Sequence, residues 1–521
     1  MKRIVLLSLL MVAFGSNAEV KRPKYNIDLS NPYSTDQVAA YSGDHAAVYR
    51  HIDANLDAHL ANLQRWMRQP SISAQNVGVR DMAKMVRDDF KALGFKEAEI
   101  VETKGHPGVW GYYDAGAETT LMVYMMYDVQ PVEPEDWRSP PFEAHVVETE
   151  QGQAIMARGA TNQKGPQLAF LNALASILAV EGNLPVNIMV TAEGEEELGS
   201  PNYPQIVDKY ESRLKTADGV IFPMSGQNLA GQTSLMMGVK GIIYWELEAR
   251  GGAWGGPTRA EIHGSYKAIT DSPVLRLIKA IDTLVSEDGN TILVPGYYDD
   301  VRPPTEEEQS LIAGYLLKQN EALLKRVMGV QRWVDDIQGV DVMHELIYTP
   351  TMNIDGIWAG YTGEGVKTIL PHVATAKMDS RLPMGMDSDK QLGLIRKHLD
   401  DNGFEDVKLT VKSSYPAAQS SVHSDLVQAV ISVYKKYGAD PTVNPRIAGS
   451  APFYQFTERL KLPMIPVGLG FGQGAHAPNE TYLVKSTGKV AGLADIEKSY
   501  VDLLYALAAR NQEQNQENSY E

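Results

Sequence analysis

The chain has 521 residues, of which 44% are hydrophobic and 22% charged, and this composition is typical of a soluble globular protein with at least two domains. Its net charge of −17 argues against nucleic acid or anionic membranes as partners, because phosphate binding needs positive charge. The absence of cysteine excludes disulfides and thiolate ligands, so any metal site must use His, Asp, Glu, Asn or Met.

The N-terminus has the three-part pattern of a secretory signal peptide. Two basic residues precede an apolar run at 4–14, and a small-residue cleavage site ends at Ala18. The apolar run is too short to span a bilayer, and no later segment is apolar enough to do so. We expect removal of residues 1–18, which changes the net charge from −17 to −19, and a mature protein that is periplasmic or secreted.

The first half of the chain alternates strands with helices. Helical apolar spacing runs through residues 51–95, and again through 167–180. Near-continuous apolar runs at 120–126, 187–191 and 218–222 are typical of strands buried on both faces of a parallel sheet. This order predicts an α/β fold with a mixed sheet flanked by helices, whose chemistry lies at the carboxyl ends of the strands.

The pattern changes after residue 241. Alternating residues at 245–249 and 374–379 predict half-exposed strands, as does the run at 408–413, and a helix is predicted at 273–286. A helical pattern returns at 424–437, before another apolar strand. These changes predict that an α+β domain is inserted into the α/β domain.

The predicted organisation has five parts. They are a signal peptide at 1–18, the first part of the catalytic domain at 19–241, an inserted lid domain at 242–415, the second part of the catalytic domain at 416–510, and a polar tail at 511–521 that we expect to be disordered.

Three loops carry most of the candidate chemistry. They read MMYDVQP at 125–131, RGATNQKGP at 158–166 and EGEEELGS at 193–200, and each follows a strand or leads into a helix. Three consecutive acids at 195–197 repel one another, which indicates a local cation or a shifted pKa, unless the loop is simply solvated.

Other residues are ambiguous when taken singly. Asp128 is either a group that orients a neighbour or a turn residue, and His476 in GQGAHAPNE is either a ligand or a surface histidine. Arg158 and Lys164 flank Asn162 and are expected to hold the loop in shape. Six methionines would suit a thioether copper site, but the filling of core gaps is the favoured interpretation: Met122, Met125, Met126, Met224, Met236 and Met237.

Together these segments resemble the co-catalytic zinc aminoacylase and carboxypeptidase family that includes carnosine dipeptidase, and in particular its cytosolic nonspecific dipeptidase branch. The resemblance runs in order from about residue 50 to 508, and its longest motifs are YDVQPVEPEDWRSPPFE, ILVPGYYDDVRPPTEEE, NIDGIWAGYTGEGVKTILP and GAHAPNE. It implies a zinc-peptidase-like catalytic domain on a mixed sheet, with an inserted lid domain that often forms a homodimer.

The family binds two zinc ions, and this chain departs from the family pattern at the first. The resemblance places Met126 and Met224 where the first ion has its own His and Asp, and Asn162 where an Asp bridges both ions. It places the ligands private to the second ion at Glu197 and His476. Thioether sulfur is a poor zinc ligand and Asn lacks the bridging charge, so at most one zinc is expected.

Two further catalytic positions match the family. Glu196 matches the general base that activates the attacking water. Asp128 matches the carboxylate that orients the first-site His, a histidine that is absent here because Met126 takes its place.

The resemblance also implies a substrate grip. Thr368, Arg381 and Ser450 match substrate-binding positions, and the guanidinium fork suits a terminal carboxylate. Arg250 falls where a lid histidine, often from the partner subunit, stabilises the tetrahedral intermediate. Arginine could stabilise an oxyanion there but could not act as an acid.

Three functional readings stay open at this point. The first is a hydrolase of dipeptides or N-acyl amino acids with one zinc held by Glu197, His476 and Asn162, because three protein ligands and water suffice for catalysis. The second is an inactive homologue, without a cofactor, that binds a peptide or amino-acid derivative. The third is metal-free acyl transfer or cyclisation with Glu196 and Arg250, which nothing in the sequence specifically favours.

Overall fold

The computed structural model describes residue 20, residues 22–486 and residues 488–520, the last ten of these by backbone alone. The expected signal peptide, residues 1–18, lies outside the described residues. The described residues form twelve α-helices: α1 Ala46–Ala54, α2 Leu56–Arg68, α3 Val79–Ala92, α4 Gly165–Glu181, α5 Tyr203–Leu214, α6 Pro273–Asp282, α7 Glu306–Lys318, α8 Glu321–Met328, α9 Val340–Tyr348, α10 Ser388–Asp401, α11 Asp425–Lys436 and α12 Leu493–Tyr520.

The strands lie in six sheets of two to six strands. They are β1 Glu97–Val101, β2 Gly108–Tyr113, β3 Thr120–Met126, β4 His145–Thr149, β5 Gly152–Met156, β6 Asn187–Glu193, β7 Gly219–Pro223, β8 Ser234–Met236, β9 Gly238–Val239, β10 Gly241–Arg250, β11 Ile262–His263, β12 Asn353–Ala359, β13 Ile369–Leu370, β14 Val373–Leu382, β15 Lys408–Tyr415, β16 Ala418–Gln419, β17 Thr442–Asn444, β18 Met464–Val467, β19 Gly472–Gln473 and β20 Thr481–Ser486.

The main sheet has the order β1-β2-β6-β3-β7-β18. Strands β6, β3, β7 and β18 run parallel, whereas β2 pairs antiparallel with β6 and β1 with β2, so the sheet is mixed. Every residue of β3, β6 and β7 is buried. Helices cover both faces of these strands, which explains their continuous apolarity and confirms the predicted α/β fold.

A second sheet, β12-β14-β10-β15, is wholly antiparallel and lies within residues 241–415. One face of its two central strands packs under α6 and α10 around Trp245, Met378 and Leu399. Its edge strand β12 exposes most of its residues. The segment therefore has its own hydrophobic core, as expected for an inserted α+β domain.

A third sheet, β19-β20-β5-β4, supports the late loop of the site. Strand β5 leads into the loop that contains Asn162, and β20 follows the loop that contains His476. Antiparallel pairing of β5 with β20 brings these two loops together although more than 300 residues separate them.

The two ends of the described chain differ from expectation in one respect. Helix α12 continues to Tyr520, so the backbone of the polar tail is helical where the composition predicts disorder. At the other end, residues 22–43 lie along both domains: the backbone N–H of Tyr25 donates to His344 in the lid, and that of Tyr41 donates to the carbonyl of Ser432 in α11. Among the described residues no helix is long and apolar enough to cross a bilayer.

Candidate active site

The carboxyl ends of three parallel strands meet at one edge of the main sheet. Met126 at the end of β3 lies in register with Glu193 at the end of β6, and β7 pairs with the other side of β3. The segments that follow these ends contain Asp128, the acidic turn 195–197 and Met224. The candidate site therefore lies where a parallel sheet places its chemistry.

The buried carboxylate of Asp128 positions the acidic turn. It accepts hydrogen bonds from the backbone N–H groups of Glu196 and Glu197, both at 3.1 Å. Burial and the negative charge of Glu197 raise the pKa of Asp128 to about 7. Met126 offers Asp128 no N–H or O–H group, so Asp128 orients a backbone turn here and not a histidine.

The three residues expected to hold one ion lie together. The distance from His476 Nε2 to Glu197 Oε2 is 3.2 Å, and Asn162 Nδ2 donates to Glu197 Oε1 at 2.8 Å. Gln130 donates to Glu197 Oε2 at 2.8 Å. Gln130 lies in the YDVQP motif but was not singled out from the sequence, because no glutamine role follows from its position alone.

The amide of Asn162 is shared between the other two side chains. Its Nδ2 lies 3.0 Å from His476 Nε2, so this ring nitrogen accepts from Asn162 when the imidazole is neutral and donates to Glu197 when it is protonated. The hydrogen bond to Glu197 raises the pKa of His476. The three side chains are therefore all within hydrogen-bonding distance of one another.

The Asn162 loop is anchored by Glu480, a residue that the sequence analysis did not single out. The buried Glu480 carboxylate pairs with Arg158 at 2.8 Å and accepts from the backbone N–H groups of Gly159, Thr161 and Asn162 at 3.0, 2.8 and 2.8 Å. A lone Glu some 320 residues along the chain gives no sequence signal of this contact. These hydrogen bonds therefore fix the backbone of the loop that contains Asn162.

Lys164 fixes the other end of the same loop. Its ammonium donates to the backbone carbonyls of Trp66 and Gln69 at 3.2 and 2.6 Å. Complete burial lowers the pKa of Lys164 to about 7, although Glu480 and Asp128 oppose the shift. Lys164 and Arg158 therefore both hold the loop that contains Asn162 in shape, as predicted from their positions on either side of it.

Methionine stands at both positions where the family pattern predicts the ligands private to the first ion. Met126 is buried in a hydrophobic cluster with Tyr124, Phe222 and Phe456. Met125 packs in a different cluster on the opposite face of β3, so the methionines do not converge on one thioether site. Met224, two residues beyond Phe222, is only half-buried. These packing contacts are those of core methionines.

Several carboxyls are crowded beneath the site. Burial raises the pKa of Glu196 well above its usual range, and Glu197, Asp128 and Glu193 raise it further. Burial likewise raises the pKa of Glu193 to about 8, although its carboxylate accepts from Tyr124 Oη at 2.6 Å. Such a cluster needs either protons or a cation. Ionisation of Glu196 would therefore be favoured by a bound cation.

Two side chains of the types that ligate zinc lie together here, with an amide beside them. Among the described residues no group of three or more His, Asp and Glu side chains is placed to hold a metal. Glu197 and His476 supply two ligands, and Asn162 supplies a neutral oxygen when its amide is turned. Three protein ligands and a water form a usual catalytic zinc shell.

Arg381 and Ser450 meet at the junction of the two domains. Arg381 Nη1 donates to Ser450 Oγ at 3.0 Å, and Arg381 Nε pairs with Asp379 at 2.8 Å. Ser450 in turn donates to the carbonyl of Gly241 at 3.2 Å. These contacts hold the guanidinium in a fixed position, as recognition of a carboxylate requires.

Arg250 and Arg381 lie far apart within one chain. Arg250 pairs in register with Val373 in β14, whereas Arg381 lies eight residues further along that strand. At ~3.4 Å per residue the separation is roughly 27 Å. Thr368 and Arg250 are both exposed. Within one chain Arg250 therefore does not reach a small ligand bound at Arg381, because an extended strand separates them.

Comparison with known proteins gives a consistent match. A family model described as "Peptidase family M20/M25/M40" matches residues 122–494. The Cys-Gly metallodipeptidase DUG1 of Candida albicans is 28% identical over 452 residues, covering 81% of this chain and 90% of that protein. The human Beta-Ala-His dipeptidase is 29% identical over 376 residues, covering 68% of this chain and 71% of that protein.

A solved structure agrees with these sequence matches. The M20 family metallo-carboxypeptidase Sso-CP2 of Sulfolobus solfataricus is 34% identical, with a TM-score of 0.78 over 87% of this chain and 99% of that chain. The similarity therefore covers both the main sheet and the inserted domain.

Proposed function

This chain belongs to peptidase family M20/M25/M40, and we propose that it hydrolyses dipeptides or N-acyl amino acids with at most one zinc ion, held by Glu197, His476 and Asn162. The observation that carries the proposal is the convergence of those three side chains within 3.2 Å of one another, above a buried acidic turn. The similarity to a metallodipeptidase and to a dipeptidase supports a small substrate with a free carboxylate.

The chain's own residues divide the work as follows. Zinc, when bound, supplies Lewis acidity and lowers the pKa of water. Glu196 takes a proton from the attacking water and returns it to the leaving amine. Asp128 holds the backbone of Glu196 in place through its hydrogen bond at 3.1 Å. Arg381, steadied by Ser450, binds the substrate carboxylate.

We further propose that the protein acts as a homodimer through the lid. Arg250 lies too far from Arg381 to contact the same small ligand in one chain, so a second copy would have to supply it. The edge strand β12 supports such an interface, because Ile357 and Trp358 are 51% and 46% exposed there. Sedimentation equilibrium should give a dimer, and Ile357→Glu should give a monomer; a wild-type monomer at micromolar concentration would exclude the interface.

An inactive binding homologue is the second candidate, and one observation favours it. The first-ion position at Met126 is packed with apolar side chains. Such a protein would bind a peptide or an amino-acid derivative through Arg381 and Ser450.

Turnover by zinc-loaded protein separates the two candidates. Purified protein would be incubated with zinc and a panel of dipeptides and N-acyl amino acids, and released amine measured. We expect hydrolysis that is lost in Glu196→Gln. The matched control is Glu195→Gln, since Glu195 is the adjacent acid but bonds to Asn202 at 2.8 Å and faces away from the other three side chains.

Each outcome decides between the candidates. Turnover that Glu196→Gln removes and Glu195→Gln keeps supports the hydrolase. No turnover of any substrate by zinc-loaded protein, combined with measurable binding of the same substrates, identifies the inactive homologue.

Export to the periplasm or medium stays a prediction, to be checked by fractionation and N-terminal sequencing for cleavage near Ala18.

A further inference from the structure

A cavity of about 680 Å³ lies at the junction of the two domains, beside Arg381. Helices α8 and α9 form one wall, and strand β14 and residues 448–449 form the other. Its volume is within the range of small-molecule sites. Glu197, His476 and Asn162 do not line it, so it is separate from the candidate metal site.

The wall contributed by the lid helices is apolar. Leu324 and Met328 come from α8, Val342 and Leu346 from α9, and Trp333 from the loop between them. Leu324 is half-buried and Met328 is 57% exposed, although both face a large concave surface. A surface of this kind gains free energy when an apolar group covers it.

The cavity is also lined by charged residues, whose charges cancel only in part. Five charged residues line the cavity, and four of them form ion pairs: Arg22 pairs with Glu345, and Arg381 pairs with Asp379. The fifth is Lys240, which forms no ion pair among the described residues. The cavity therefore has one positive charge in excess, next to the guanidinium of Arg381.

Lys240 is an unusual wall residue because it is buried. It is 2% exposed, and its ammonium donates to the carbonyl of Thr349 at 2.7 Å, the one hydrogen bond of that group among the described residues. Burial and the positive charge of Arg446 lower the pKa of Lys240 to about 7. Its backbone N–H donates to Gly449 at 2.9 Å, which fixes it between β9 and β10. An anion in the cavity would satisfy the remaining donors of Lys240.

We propose that this cavity binds the C-terminal residue of the ligand, with its carboxylate between Lys240 and Arg381 and a large apolar or aromatic side chain against α8 and α9. The ligand class, a peptide or N-acyl amino acid, rests on the proposed function. Binding itself depends on neither zinc nor turnover. Lys240 is then a specificity-determining residue that selects a free carboxylate next to an apolar side chain.

Calorimetric titration in the presence of a chelator tests the proposal without hydrolysis. Three probes differ by one feature each: N-acetyl-L-tryptophan, N-acetylglycine, which lacks the apolar side chain, and N-acetyl-L-tryptophanamide, which lacks the carboxylate. We expect the first to bind at least about tenfold more tightly than either of the others. We also expect its binding near pH 8 to take up protons, because the carboxylate favours charged Lys240.

Two cavity variants and one control complete the test. Lys240→Met should weaken N-acetyl-L-tryptophan about tenfold and abolish the proton uptake. Met328→Glu, at an exposed position that tolerates a polar side chain, should weaken it several-fold by placing a like charge on the apolar wall. Lys435→Met is the matched control, since the Lys435 ammonium also donates to backbone carbonyls, those of Thr35 and Val38 at 2.6 and 2.9 Å, but does not line the cavity. It should bind as wild type does.

The outcomes separate this inference from the proposed function. Equal affinities for the tryptophan and glycine probes, or wild-type affinity in Lys240→Met, would overturn the cavity assignment whatever the protein hydrolyses. Selective binding without any turnover of zinc-loaded protein would leave the cavity assignment standing and remove the hydrolase proposal.

Discussion

Replacing Asn162 with aspartate should convert a hydrogen-bonded cluster into a metal-dependent one. The amide of Asn162 donates to Glu197 at 2.8 Å, and aspartate would place a second carboxylate there. Two such charges about 4 Å apart repel by about 4 kcal/mol at an effective dielectric constant of about 20. Protonating a free Asp side chain at pH 7 costs about 4 kcal/mol, which sets a ceiling of similar size. We therefore expect metal-free Asn162→Asp to lose about 2–4 kcal/mol of unfolding free energy.

Zinc should reverse that loss. With His476, Glu197 and a carboxylate at 162, the ion gains a charged third ligand, and we expect affinity to rise at least about 100-fold, or about 2.7 kcal/mol. The assay is thermal unfolding with chelator and with zinc, combined with calorimetric titration of zinc. Ligand binding to the folded state stabilises it by RT ln(1 + [L]/Kd), and this stabilisation raises the unfolding temperature.

The control is Asn202→Asp, which makes the same amide-to-carboxylate change next to Glu195 but, among the described residues, has no hydrogen bond to a histidine. It should lose stability with and without zinc alike. If Asn162→Asp also lost stability equally in both conditions and bound no zinc, Glu197 and His476 could not form a metal site, and the reasoning would be refuted.

Three other predictions follow from single contacts. Glu480→Gln should destabilise the protein by about 3–5 kcal/mol in chemical denaturation, because it leaves buried Arg158 without its carboxylate; a loss under 1 kcal/mol would contradict that. Because the pKa of Lys240 is lowered to about 7 when folded, the unfolded chain binds more protons above that pH, so stability should rise from about pH 7 to 10.5. This rise should be smaller in Lys240→Met, and an identical pH profile in that variant would contradict the assignment. Glu196→Gln should lower kcat at least about 100-fold with little change in KM, as loss of a general base does; an unchanged kcat would exclude that role.

The sequence predicts the buried strands of the main sheet well, and it predicts strands that are exposed or lie at a sheet edge poorly. The runs at 120–126 and 187–191 are recognisable because burial on both faces leaves no polar residue to interrupt them. The hairpin of β1 and β2 was missed because β2 contains two glycines and β1 is half-exposed. The edge strand β12 was missed for a related reason: most of its side chains face solvent.

Some features of the candidate site can likewise be predicted from the sequence, and others cannot. The motifs predict that Asn162, Glu197 and His476 converge, because each lies in a loop whose place in the fold the resemblance specifies. The contacts of Glu480 and the burial of Lys240 could not be predicted, since each depends on packing between distant segments. The separation of Arg250 from Arg381 follows only from the register of β10 and β14.

The number of zinc ions bound per chain tests the central claim most directly. Calorimetric titration of chelator-treated protein with zinc, checked by elemental analysis of the dialysed complex, gives that number. We predict one ion per chain, lost in both Glu197→Gln and His476→Ala. Two ions per chain, no ion at excess zinc, or one ion that persists in both variants would contradict the account.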